Sequence, residues 1–189
     1  MRSPPSSASP PKSTPQTHHP EPAPALQVDA GHLRLTREPL DLSAEIASLC
    51  EDAEHLCAEK SLTFSHSIDP DITVEADHVL LRQATQNLLT NAIKYNTAAG
   101  SIDVSLTTTG ESATITFSNT GPGIPEGERE KIFDRFYRID AARNRTTDGF
   151  GLGLNLAAEI ARAHGGNLEL APAEDDLTKF TLTLPLVEK

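Results

Sequence analysis

The chain has 189 residues, a formal net charge of −11, 37% hydrophobic residues and no tryptophan. That length holds one ordinary domain plus a tail, its core must be aliphatic, and the acidic balance excludes a nucleic-acid partner, which needs clustered Lys and Arg. No apolar run approaches the ~20 residues needed to span a bilayer, and the N-terminus lacks the apolar centre of a signal peptide, so a cytoplasmic chain with no membrane contact is expected.

Residues 1–25 hold eight of the 14 prolines and five serines, with almost no aliphatic side chains. Such a segment offsets little of its ordering entropy by burial and is predicted to be a disordered tail. Residues 26–38 read as a linker, and one domain is expected over residues 39–189. Leu42, Ile46, Leu49, Cys50, Ala53, Leu56 and Cys57 recur at helical spacing from Asp41 to Lys60, with Asp41 as N-cap. Cys50 and Cys57 stand one heptad apart and read as buried free thiols; a lone pair at that spacing is not a zinc pattern.

Leu62–Phe64 and Ile72–Val74 look like strands around an Asp69-Pro70-Asp71 turn. A second helix is predicted from Asp77 to Tyr95. Its apolar face is Leu80, Ala84, Leu88 and Ala92, while Asn87, Asn91, Lys94 and Tyr95 share another face, because residues three and four apart are helical neighbours. Alternating strands follow at Ile102–Leu106 and Thr114–Phe117, joined by a turn at Gly110. A polar, Gly-rich stretch with a short helix near Glu128–Phe136 comes next. A third helix spans Leu152–His164 and stops at Gly165-Gly166. Strands at Asn167–Leu170 and Lys179–Leu184 close the chain. There is no regular βαβ alternation, so helices layered on one face of a mixed sheet fit best.

Three segments carry candidate chemistry. On the second helix, an Asn91 carbonyl oxygen suits Mg²⁺, which keeps waters and borrows phosphate oxygens; Asn87 sits one turn before it, Lys94 can meet phosphate charge, and the Tyr95 ring can cover a base. Asn119-Thr120-Gly121-Pro122-Gly123-Ile124 follows a strand, and its glycines permit close backbone approach to a ligand. Gly149-Phe150-Gly151-Leu152-Gly153-Leu154 opens the third helix, where backbone N–H groups make an anion site. A Rossmann reading fails, because this Gly-x-Gly-x-Gly run follows a polar loop and not a strand.

With Phe133-Asp134-Arg135-Phe136-Tyr137-Arg138 between the second and third, these segments resemble, in order, the N, G1, F and G2 boxes of sensor histidine kinases over about residues 33–189. The resemblance implies an α+β fold of Bergerat type, a two-layer α/β sandwich with three main helices on one face of a mixed sheet. It also implies ATP and Mg²⁺ as cofactors. Asn91 would bind Mg²⁺, Lys94 a phosphate, and Tyr95 would pack on adenine. Gly121, Gly123 and Ile124 would shape the adenine end. Gly149, Gly151, Leu152, Gly153 and Leu154 would receive the phosphates. Phe133 and Phe136 would anchor a lid, Arg138 or Arg143 would reach the γ-phosphate, and Thr178 would hydrogen-bond the adenine reader.

Two departures stand out. The resemblance makes Asn119 the adenine reader, where most of the family has Asp and the copper- and silver-responsive members commonly have Asn; a neutral acceptor is weaker than a carboxylate, so Asp there is expected to bind more tightly. And none of His18, His19, His32, His55, His66, His78 or His164 sits on an acceptor helix: His66 falls on a strand and His164 reads as a structural cap. A histidine-bearing dimerisation domain in trans and a response-regulator receiver domain are therefore the expected partners. The alternative is a nucleotide-binding regulatory module or inactive remnant. A serine kinase of anti-sigma-factor type, which typically has Glu at the Asn87 position, fits less well.

Overall fold

The computed structural model describes residues 28–29, 32–139, 151–172 and 176–187. The predicted tail, Arg143, Gly149 and Phe150 lie outside the described residues.

Short strands β1 (Val28–Asp29) and β2 (His32–Leu33) pair antiparallel ahead of the domain. Strand β3 (Glu38–Asp41), which periodicity does not announce, leads into α1 (Leu42–Glu59). Asp41 caps that helix as expected, its carboxylate accepting the Ala44 N–H at 2.9 Å. Leu42, Ile46, Leu49, Cys50, Ala53 and Cys57 are buried, whereas Leu56, at the margin of that stripe, is 47% exposed. Both cysteines are free and buried. Burial, reinforced by Glu54 and Asp103, pushes the Cys50 thiol up to about 12, and burial raises Cys57 too, so both stay protonated and unreactive at neutral pH.

The strands flanking Asp69-Pro70-Asp71 are β4 (Thr63–Ile68) and β5 (Thr73–Ala76), and they do not pair with each other. The backbone groups around the turn are engaged elsewhere: Asp69 N–H donates to Leu106 O, Ile72 N–H to the Ser43 hydroxyl, and Ile72 O accepts from Leu42 N–H. As a result β5 pairs antiparallel with β3, while β4 joins the main sheet.

That sheet has the order β4-β6-β7-β9-β8, where β6 is Ser101–Thr109, β7 Ser112–Thr120, β8 Asn167–Leu170 and β9 Leu177–Pro185. β4 and β6 are parallel and the other pairs antiparallel, so the sheet is mixed as expected. Period-two alternation sends Ile102, Val104, Leu106, Ile115, Phe117, Leu182 and Leu184 into the core. Helices α1, α2 (His78–Lys94) and α3 (Gly153–Ala163) supply the other half of that core, including Leu80, Leu81, Leu88 and Leu89 of α2. Each such leucine contributes roughly 1.5–3 kcal/mol by burial.

Asp77 caps α2 through a 3.1 Å bond to Leu80 N–H, and α3 ends at Gly165, with φ of +81°. In place of the short helix predicted near Glu128–Phe136 the chain forms two single 3₁₀ turns, Glu126–Glu128 and Lys131–Phe133. Asp134 is extended and Phe136 has φ of +65°, which stops propagation.

Candidate nucleotide site

Three structural ends meet beside the sheet: the second half of α2, the end of β7, and the start of α3. On α2, Asn87 and Asn91 lie one turn apart and are half-buried. The Asn87 amide donates to Gly153 O at 3.3 Å, which brings the predicted metal-binding face of α2 against the predicted phosphate-binding start of α3. The nearest atoms to a Cβ at Gly153 would be those of the Asn87 side chain, at 3.6 Å or more. At the end of α2 the Lys94 ammonium lies 5.1 Å from the centroid of the half-exposed Tyr95 ring, a cation–π pair.

The end of β7 is set by the sheet. Asn119 is 4% exposed and stands between Ile102 of β6 and Thr178 of β9 in register. Its amide N–H₂ donates to Thr120 O at 2.8 Å, which orients the group. Gly121 follows, its N–H bonded to Asp176 O at 2.9 Å; a Cβ there would lie 2.7 Å from Tyr95 O, so only glycine lets β7 pass the end of α2 this closely. Gly123 has φ of +69°. Gly123, Ile124 and Thr178 then line a cleft of about 330 Å³, joined by Pro122, Leu170 and Arg129, whose guanidinium bonds Ala171 O.

The third end is α3. It begins at Leu152, which is 40% exposed and whose side chain caps none of the helix's first N–H groups, the end of a helix that favours an anion. Leu154 packs against the core. Gly151, with φ of +70°, accepts from Phe136 N–H at 3.1 Å, and a Cβ on it would lie 2.7 Å from Tyr137 O. Phe133 meets Phe180 edge-on at 6.3 Å. The Phe136 ring, also expected to anchor a lid, is 70% exposed, and its backbone makes the tie to Gly151. Arg138 is half-buried two residues beyond Phe136.

The structure therefore brings Asn87 to Gly153, Tyr95 to Gly121, and Asn119 to Thr178. Three residues in this framework escaped the motif reading. Thr120 donates from its hydroxyl to Asn96 Oδ1 at 2.7 Å and accepts Ser101 N–H at 2.8 Å, clasping the end of β7 to the exit from α2. Asn155, in the first turn of α3, donates to Phe133 O at 2.8 Å. Its signal was a lone amide among Leu154, Leu156 and Ala157; for Asn96 and Thr120 no local signal exists. His66 lies on β4 and His164 is buried at the end of α3, both as expected.

Comparison with known proteins agrees with this fold. The family described as histidine kinase-, DNA gyrase B-, and HSP90-like ATPase matches residues 76–188. Adaptive-response sensory kinase SasA of Rippkaea orientalis is 40% identical over 73% of this chain and 36% of its own length. Sensor protein CzcS of Cupriavidus metallidurans is 33% identical over 85% of this chain and 33% of its own. The chain thus spans about a third of the length of these curated relatives. Among solved structures, the catalytic domain of the histidine kinase ThkA superposes with a TM-score of 0.69 at 26% identity, covering 79% of this chain and 95% of that one. ThkA in complex with the response regulator protein TrrA gives a TM-score of 0.67 at 25% identity, covering 80% of this chain and 42% of that one.

Proposed function

The chain belongs to the histidine kinase-, DNA gyrase B-, and HSP90-like ATPase family and carries a sensor-histidine-kinase catalytic domain, and from that premise we propose that it binds Mg-ATP and passes the γ-phosphoryl to a histidine supplied in trans. The observation that carries this reading is the contact between Asn87 and Gly153, which holds the amide face of α2 against the uncapped start of α3.

The residues present fit the proposed ligand. Two half-buried amide side chains one turn apart offer neutral oxygens suited to a hydrated Mg²⁺. Asn91 would hold that ion, which when bound neutralises phosphate charge. The N–H groups at the start of α3 would receive the phosphates, and Lys94 would add positive charge beside them. Asn119 would accept from the adenine amino group, with Tyr95, Ile124 and Thr178 around the base.

Asn87 is an amide, which cannot act as a general base toward water. A neutral imidazole already offers a lone pair and needs no base, so this site supports phosphoryl transfer to histidine over hydrolysis. Catalysis then rests on positioning and charge stabilisation. A response-regulator receiver domain is the proposed recipient of the relayed phosphoryl group.

Replacing Asn91 by Ala is expected to abolish Mg-ATP binding in a calorimetric titration while the fold persists by circular dichroism; unchanged affinity would remove the proposed site. Incubation of the intact chain with labelled ATP and a purified acceptor hairpin is expected to yield acid-labile phosphohistidine on the hairpin. ATP binding without any such product would instead favour a nucleotide-sensing regulatory module.

A further inference from the structure

At the opposite end of α2 and α3 from the nucleotide site, one junction ties together three parts of the chain far apart in sequence. Thr36 N–H, in the segment leading into the domain, donates to Asp77 Oδ2 at 2.9 Å. The other oxygen of Asp77 caps α2 at Leu80 N–H. The backbone N–H of Asp77 donates to His164 Nε2 at 2.9 Å, and His164 Nδ1 donates to Ile160 O in the last turn of α3 at 2.8 Å. Next to it, the Arg37 guanidinium donates to Ala163 O at 2.5 Å, a cation at the negative end of a helix.

These bonds interlock. His164 is 1% exposed, so both ring nitrogens need partners. Because Nε2 accepts, the proton must sit on Nδ1, and Ile160 O holds it there. One aspartate thus engages the incoming segment with one oxygen, the first turn of α2 with the other, and the last turn of α3 with its N–H. The far parts of the same two helices present Asn87, Asn91 and Gly153.

We propose that the Thr36–Arg37, Asp77 and His164 junction is a latch through which the incoming segment regulates the nucleotide site. Held shut, it fixes α2 against α3 and so the reach between Asn91 and the glycine start. Displacing the segment releases Asp77 and Ala163 O and lets the two helices shift. The inference rests on the nucleotide reading above and adds regulation to it. Because coupling is reciprocal, nucleotide must tighten the latch as much as the latch tightens nucleotide.

Hydrogen exchange on the full chain, with and without a saturating non-hydrolysable Mg-ATP analogue, tests this. Amides at the end of α2 and the start of α3 report ligand binding, and the Thr36 amide reports the latch. Thr36 exchange is expected to slow about three- to thirtyfold with the analogue, the range of couplings carried through packed networks. Asp77→Asn keeps a capping oxygen but loses the acceptor for Thr36, and Arg37→Ala loses the tie to α3. Each is expected to weaken analogue binding by a similar factor and to cut the nucleotide-induced slowing at Thr36, an effect that a purely structural staple would not produce. Thr36 exchange that ignores an analogue protecting α2, or an Asp77→Asn variant that binds as the parent does, would overturn the latch alone. No protection at α2 or α3 would overturn the nucleotide reading, and the latch with it.

Discussion

The two ends of the candidate site are built on opposite principles. At the adenine end, Asn119 lies in sheet register between Ile102 and Thr178, its amide is tied to Thr120 O, and Thr120 is clasped to Asn96 and Ser101. The Asn119 amide N–H₂ and the Thr120 hydroxyl there have partners within the fold. At the phosphate end, α3 starts without a side-chain cap, Leu152 is 40% exposed, and Gly151 turns through a positive φ. On the proposed reading, a neutral base would meet a framework already ordered by the sheet. Phosphate charge would be met by a helix start that its own N-cap residue leaves open to an anion.

The sharpest way to break this contrast is to add one methyl group at each end. Gly121→Ala drives a Cβ to 2.7 Å from Tyr95 O, a backbone atom locked at the end of α2. It is expected to cost about 1–3 kcal/mol by overpacking and to lower the thermal midpoint and nucleotide affinity together. Gly151→Ala meets Tyr137 O at the same distance and also a φ of +70°, yet it sits outside the sheet framework. There nucleotide affinity is expected to fall further than stability does. Equal stability losses in paired thermal melts would erase the distinction.

Asn119→Asp comes next in size. The carboxylate makes a stronger acceptor for an adenine amino group, the effect anticipated from sequence, but it also removes the donor to Thr120 O and sets two acceptors side by side. The nucleotide-free variant is expected to lose about 1–3 kcal/mol of stability, while its stabilisation by saturating Mg-ATP exceeds that of the parent. Melts with and without ligand separate the two terms.

His164 probes the base of the two helices. Burial above all, and then Arg37, lowers its pKa, against opposing contributions from its bond to Ile160 O and from Asp77. Its folded pKa is thus below the unfolded value of about 6.5, so its contribution is intact above that pH. As pH falls below it the unfolded chain takes up a proton that the folded chain resists, and stability drops. Urea midpoints between pH 8 and 5 are expected to fall less steeply in His164→Asn than in the parent; parallel slopes would show that the ring is not held neutral.

The smallest effect on stability belongs to Gly153→Ala, whose Cβ has the Asn87 side chain as its nearest neighbour, at ordinary contact distance. Its thermal midpoint is expected to hold or rise slightly, by less than about 1 kcal/mol of helix propensity. Nucleotide affinity is still expected to fall, because the methyl occupies the approach to the helix start. Unchanged affinity would mean that the phosphates do not reach this glycine.

Much of this was legible in the chain itself. Asp41 announced the helix it caps, and the apolar faces of α1 and α2 followed their 3.6-residue period, with Leu56 as the exception. The candidate site was legible as residue types in order: amides on a helix, glycines after a strand, glycines before a helix. β3 was missed because four residues reading Glu-Pro-Leu-Asp carry no strand signal and form one only by pairing with β5. The strands around Asp69–Asp71 were legible, but their pairing was not, because the groups around that turn bond to α1 and β6.

Periodicity, capping residues and glycine placement are properties of neighbouring residues, so the sequence alone determined the three long helices, the strands of the main sheet, their order and the chemical character of each candidate group. Which groups would meet was decided by packing, since Thr120 and Asn96 are 24 residues apart, Asp77 and His164 are 87 apart, and Arg37 and Ala163 are 126 apart. No local signal encodes such a pair: each bond exists only once the sheet has closed and the helices have docked, when burial leaves a polar group no partner but the one the fold delivers.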